Sequence, residues 1–140
     1  MSTTYQDFNR NLVRDLRENG GRATSGPFQG RDVLILTTRG AQTGESRENP
    51  LAYSRAGDDY VVIGSKGGAP THPAWYHNVR ANRRVTLEVL GERFEAEARV
   101  ADGDEYEQLF AAHAAKMPGF NDYRAKTTRK LPVLVLKRIR

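Results

Sequence analysis

The chain has 140 residues, enough for one domain that buries a core of its own without a covalent staple. It contains no cysteine, which excludes disulfides and thiolate metal sites and suits a reducing interior. Lysine and arginine number 22 against 17 acids, a net charge of +5 that attracts anions in general without choosing among nucleic acid, acidic lipid and a charged small molecule.

The opening MSTTYQDFNR lacks the apolar core of a signal peptide, and no window approaches the ~18 apolar residues of a membrane span, so a cytoplasmic location is expected. From Thr4 to Arg17, Tyr5, Phe8, Leu12, Val13 and Leu16 recur at steps of three and four, which places them on one helical face. Gly20-Gly21 stops this helix, so residues 1–21 form an N-terminal amphipathic segment. Its apolar face either packs on the domain or makes a peripheral contact with a partner or the inner face of a membrane.

From Arg31 the period changes to two or to short apolar runs. Asp32–Thr38, Asn49–Ser54 and Tyr60–Gly64 read as strands, with Gly57-Asp58-Asp59 as the turn between the last two. Pro73 fits the first position of a short helix running to Asn82. In RVTLEVL, Val85, Leu87 and Val89 alternate with polar residues; in RFEAEARV, Phe94, Ala96, Ala98 and Val100 do the same, and Gly91-Glu92 reads as a two-residue loop of the Gly-X kind. Asp102 to Met117 forms a further helix with Asp102 and Glu105 placed like a capping pair. In LPVLVLKRI, Pro132 suggests a strand whose start lies on an edge. About six strands with few helices and short connections predict a single mainly β domain with flanking helices (α+β), built as a small antiparallel barrel.

The loop TTRGAQTGESREN is richer in glycine, threonine and arginine than a plain hairpin requires. Gly40 and Gly44 could gather backbone N–H groups around an anion, but three residues rather than four separate them and Glu45-Ser46 follows, so this is no Walker loop. GSKGGAPTHPAW runs from a strand end through Ser65, Lys66 and two glycines to a helix carrying Trp75 and Tyr76. Glycines admit a ligand to the backbone, Lys66 supplies a point charge, and the helix N-terminus favours an anion. Together the two loops are what a planar heterocycle with an anionic tail requires. His72 and His77 lie five apart, roughly 140° around a helix, with no acid at ligand spacing, so no metal site is expected. Ser46, Ser54 and Ser65 lack a G-x-S-x-G setting.

The run TTRGAQTGESRENPL, followed by IGSKGG and HPAWYHNVRANRRVTLEV, closely resembles the deazaflavin-dependent nitroreductase family of actinobacteria, whose members use coenzyme F420. The resemblance extends roughly from Val33 to the C-terminus, with the motifs in order. It implies a split β-barrel of the flavin-binding type and a hydride-transferring reductase. By the same resemblance Gln42, Thr43, Arg47, Asn49, Pro50 and Leu51 contact the coenzyme, Gly64, Ser65, Lys66 and Gly67 line the same cleft, and Ala74, Trp75, Tyr76 and Asn78 cover it. Ser65 is the hydroxyl expected to hydrogen-bond acceptor or ring; Tyr123, with Met117, Phe120 and Ala52, forms the expected acceptor wall. The chain departs from better-known nitroreductases of the family, which carry tyrosines where it has Ala52, Met117 and Phe120, so a quinone is the more natural acceptor than a nitroaromatic. The competing readings are an F420 carrier or storage protein with little turnover and a flavin mononucleotide enzyme on the same barrel. Nucleic acid is not an expected partner, because Arg83-Arg84 and Lys137-Arg138 lack an interleaved stacking platform. A homodimer is an expectation from the resemblance alone.

Overall fold

The computed structural model describes residues 5–139, with side chains from Asp7 onward; the expected helix start at Thr4 lies outside the described residues. These form α1 (Tyr5–Glu18), β1 (Val33–Arg39), β2 (Ser46–Ala52), β3 (Ser54–Ala56), β4 (Asp59–Ile63), α2 (Ala74–Ala81), β5 (Arg84–Val89), β6 (Glu92–Val100), α3 (Gly103–Lys116), α4 (Gly119–Lys126) and β7 (Val133–Arg138). All strand pairs are antiparallel, in one seven-stranded sheet of order β2-β1-β5-β6-β7-β4-β3. The two ends of that order, β2 and β3, are joined in the chain by Tyr53 alone. The sheet must therefore curl until its edges approach, which makes it a split barrel.

Tyr53 is also why seven strands replace the expected six. It interrupts the Asn49–Ser54 run: its N–H donates to the carbonyl of Asp32 at 3.1 Å and its ring turns inward against Tyr60, 5.6 Å between centroids. Elsewhere the strands alternate between the barrel's interior and its exterior. Leu34, Leu36, Val62, Leu87, Phe94 and Leu134 join Trp75, Tyr76 and Val79 of α2 in one interior cluster. On the outside, Val33 and Ile35 meet Leu12, Val13 and Leu16 of α1, while Val61, Ile63, Val133 and Val135 meet Tyr106 and Phe110 of α3.

The apolar face of α1 is thus spent on the sheet, and with it the face on which a membrane contact was to rest. Arg17 locks the helix there, pairing with Glu48 of β2 and with Glu88 of β5 at 2.7 Å. Among the described residues no helix is long and apolar enough to cross a membrane.

Four local expectations are corrected. The β5–β6 turn is Leu90-Gly91, not Gly91-Glu92, because Val89 pairs with Glu92 and both turn residues have positive φ, 49° and 84°. That is a type I′ turn, whose twist suits a hairpin. β7 lies between β6 and β4, not at an edge; Pro132 stands just before the ladder, where its missing N–H is not needed and its carbonyl accepts from Gly64 N–H at 2.9 Å. Asp102 makes no side-chain cap, and Glu105 is drawn instead to Arg99, with bonds of 2.6 and 2.8 Å. Pro73 takes the capping position of α2 rather than the first helical one. The PGFNDY segment, not assigned a helix from sequence, opens α4.

Candidate functional site

The β1–β2 loop is a tight closed turn. Gly40 N–H donates to the carbonyl of Glu45 at 2.7 Å and Gly44 N–H to that of Gly40 at 2.8 Å. The two glycines serve this closure differently: Gly44 has φ 74°, while a Cβ on Gly40 would lie 2.7 Å from Thr43 Oγ1. Gln42 and Thr43 are exposed at the tip. Arg47 pairs loosely with Glu45 at 3.2 Å and shares a strand face with the half-buried Asn49 and Leu51. That face is opposite Thr38, Leu36 and Leu34, so it looks toward the interior. Pro50 and Ala52 point the other way, Pro50 paired with Ile35 and buried on the side of α1.

From β4 the chain passes through Gly64 into a short 3-10 turn, Lys66–Gly68. Lys66, Gly67 and Gly68 have φ of 47°, 64° and 84° in succession. A Cβ on Gly68 would sit 2.9 Å from the carbonyl of Tyr123, so the turn is pressed against α4; a Cβ on Gly67 would meet nothing within 4 Å, so that side is open. Ser65 is 9% exposed, and its hydroxyl bonds to no other described residue, whereas its carbonyl accepts from Gly68 N–H at 2.9 Å. The Lys66 ammonium donates to Thr71 Oγ1 at 3.2 Å.

Sequence reasoning missed the residue that holds this turn. Arg129, between α4 and β7, donates to the carbonyls of Gly64, Ser65 and Ala69 at 3.1, 2.9 and 3.1 Å and to His72 Nδ1 at 2.8 Å. A guanidinium cannot accept, so Nδ1 is the acceptor and the ring's proton is on Nε2. Burial lowers the Arg129 pKa; burial first, then the charges of Arg129, His77 and Arg80, keeps His72 below its ordinary range. The only signal in the sequence was a lone arginine in TTRKLP, indistinguishable there from a surface cation.

Helix α2 joins the two loops. Asn78 is buried, donating from Nδ2 to Thr38 Oγ1 at 3.2 Å and accepting at Oδ1 from Ala41 N–H at 3.0 Å. It spends its amide on the β1–β2 loop. Trp75 and Tyr76, expected to cover the cleft, are 4% and 8% exposed and belong to the interior cluster, leaving Ala74 exposed at the helix start. Met117 is buried; Phe120 and Tyr123 are half-buried on α4, their rings 5.3 Å apart edge to face. An ion pair of 2.8 Å between Lys116 and Asp32 brings the α3–α4 corner to the end of the β1–β2 ladder, where Ala52 stands.

Ser54 Oγ and His113 Nδ1 lie 2.8 Å apart, but His113 is fully buried and the pair simply ties β3 to α3. A groove of about 450 Å³ opens between α2 and β6, lined by Tyr76, Val79, Arg80, Arg83, Ala98 and Arg99. Its walls carry none of the residues of the two glycine loops. Among the described residues no group of three or more His, Asp or Glu side chains is placed to hold a metal.

A curled antiparallel sheet with two glycine turns joined by a short helix is the frame of a split barrel. The F420H(2)-dependent quinone reductase family matches residues 8–138. An F420H(2)-dependent quinone reductase of Mycobacterium tuberculosis strain H37Rv is 37% identical over 108 residues, 75% of this chain and 72% of that protein. A solved F420-H2 dependent reductase (FDR-A) is 33% identical with a TM-score of 0.71, covering 76% of this chain and 95% of its own. A solved chain described as a domain-swapped dimer is 31% identical with a TM-score of 0.73, over 96% of this chain and 100% of its own. The chain belongs to the F420H(2)-dependent quinone reductase family. It is an F420-dependent reductase, with reduced F420 as the donor.

Proposed function

We propose that the protein transfers a hydride from reduced F420 to a quinone or a similar electron-poor acceptor. The observation that carries this reading is the Ser65–Gly68 turn, which presents a hydroxyl without a partner, an open glycine backbone and the Lys66 cation at one place. This donor set fits a polar, anionic coenzyme: Lys66, Arg47 and Gln42 suit its phosphodiester and acidic tail, and the amides around Gly67 suit its ring edge. A bound reduced deazaflavin supplies the hydride, since carbon replaces the central reactive nitrogen of a flavin.

The chain's own task is to position and to exclude. The Ser65 O–H orients the ring or the acceptor oxygen. Phe120 and Met117 form the apolar part of the acceptor wall, and the Tyr123 phenol is the group there able to donate a hydrogen bond or a proton to the oxygen being reduced. No strong base is demanded, because abstraction of a proton from the acceptor is not part of the reaction. The half-exposed wall suits a flat, uncharged acceptor such as a quinone; nitroaromatics are the alternative acceptors. A homodimer is also proposed, on the likeness to the domain-swapped neighbour; a monomer mass by light scattering would remove it.

The test is a titration with F420 and, in parallel, FMN, repeated with Arg47→Ala and Lys66→Ala, followed by turnover with a series of quinones. F420 should bind selectively, each substitution weakening it by roughly tenfold. Preference for FMN would overturn the coenzyme assignment. Tight F420 binding without oxidation by any quinone would favour the carrier reading.

A further inference from the structure

We propose that Arg129 is a positioning residue for the coenzyme site: one guanidinium sets the conformation of the Gly64–His72 segment and thereby the placing of Ser65 and Lys66. The inference rests on the F420 reading for its functional part and on geometry alone for its conformational part.

Outside Arg129 the segment is held by Gly64 N–H on the Pro132 carbonyl at 2.9 Å, by Gly68 packed on α4 and by Lys66 on Thr71 Oγ1 at 3.2 Å. Gly68 N–H to Ser65 and Ala69 N–H to Lys66 are short-range bonds within the turn, at 2.9 and 3.2 Å, and three successive residues adopt positive φ, a conformation that a free chain seldom holds. Arg129 adds a long-range restraint that spans the turn. Its three nitrogens reach carbonyls at the start (Gly64, Ser65) and end (Ala69) of the turn, so the turn's span is fixed by the size of one planar group.

The fourth bond extends the restraint to α2. His72 lies one residue before Pro73, accepts from Arg129, and packs its ring 4.6 Å from Tyr76. Arg129 itself stands between α4, which carries Phe120 and Tyr123, and β7. A single side chain therefore registers the loop, the start of α2 and the α4–β7 connection against one another. Lysine could replace the charge and not the function, since an ammonium on a flexible stem cannot span these carbonyls.

The variants to make are Arg129→Lys, Arg129→Ala and the milder His72→Gln, each checked for fold by circular dichroism and thermal melting. Two readouts are then taken on each. The first is amide hydrogen exchange without coenzyme: both arginine variants should speed exchange in peptides covering residues 64–72 by about tenfold or more while the β1, β5 and β6 peptides keep their protection. The second is F420 affinity: it should fall about tenfold or more in both arginine variants, with guanidinium in the buffer restoring part of it to Arg129→Ala, and less in His72→Gln.

Unchanged exchange in a folded Arg129→Ala protein overturns the proposal. So does full recovery of exchange and affinity by Arg129→Lys, which would mean that only a positive charge is needed. Faster exchange in the variants of a protein whose wild type fails to bind F420 would uphold the conformational role and sink the coenzyme reading instead. Should Arg129→Ala fail to fold, the exchange and affinity of Arg129→Lys and His72→Gln decide the matter.

Discussion

Lys66 sits at φ 47°, in the left-handed region, although it is not a glycine. Such a backbone costs a lysine about 1 kcal/mol, and it persists where surrounding contacts impose it. Here the imposing contacts are α4 beneath Gly68 and Arg129 across the carbonyls, and what they secure is a cation pointed outward at a glycine turn. His113 shows the opposite economy. It is fully buried with its Nε2 unpaired, and burial, with Lys116 adding to it, holds its pKa down to about 4 from 6.5. A base with a lowered folded pKa binds its proton first in the unfolded chain, so folding stability is unaffected above pH 6.5 and falls as pH drops toward 4, by about 3 kcal/mol in all. The side chain's neighbours, Ser54 and Phe120, offer no negative charge to offset this. His113→Gln should keep a bond to Ser54 and flatten the dependence of melting temperature on pH between 6.5 and 4.5. Equal steepness in the two proteins would mean that His113 is not the titrating group.

At the scale of elements, the β5–β6 hairpin carries a correctable flaw. Leu90 is 52% exposed, occupies the first position of a type I′ turn and has φ 49°, where asparagine is strongly preferred. Leu90→Asn should stabilise the fold by about 0.5–1 kcal/mol, read as a higher urea midpoint with an unchanged slope. A lower midpoint would show that the leucine contributes packing that the exposed side chain conceals. The same turn shows why periodicity reads elements better than their ends. Val85, Leu87 and Val89 declared their strand, but the choice between Leu90-Gly91 and Gly91-Glu92 depends on pairing register, which only the partner strand fixes. Pro132 looked like an edge signal because sequence cannot show that its missing N–H lies just outside the ladder. The glycine loops were legible because Gly40, Gly44 and Gly67 have local reasons to be glycine; Arg129 was not, because its partners are 57 to 65 positions away. Trp75 and Tyr76, expected over the cleft, are packed by α2 into the barrel's interior.

For the molecule as a whole, the net charge of +5 is distributed with cations on the proposed coenzyme loops, Arg39 and Arg47 at one and Lys66 at the other. These side chains are exposed and their long-range attraction is screened over about 10 Å at 0.1 M salt. Raising ionic strength from 50 to 500 mM should weaken F420 binding roughly fivefold, mostly through a slower association rate. An association rate indifferent to salt would separate the charge surplus from coenzyme capture. The position of β7 has a consequence during synthesis. β6 and β4 are neighbours only through Val133–Arg138, so as the chain emerges from the ribosome β1, β2, β5 and β6 can pair while the β3–β4 hairpin waits, each with an uncovered edge. Completion of the barrel is therefore a late, long-range event, and a stalled or shortened nascent chain would display two aggregation-prone strand edges together.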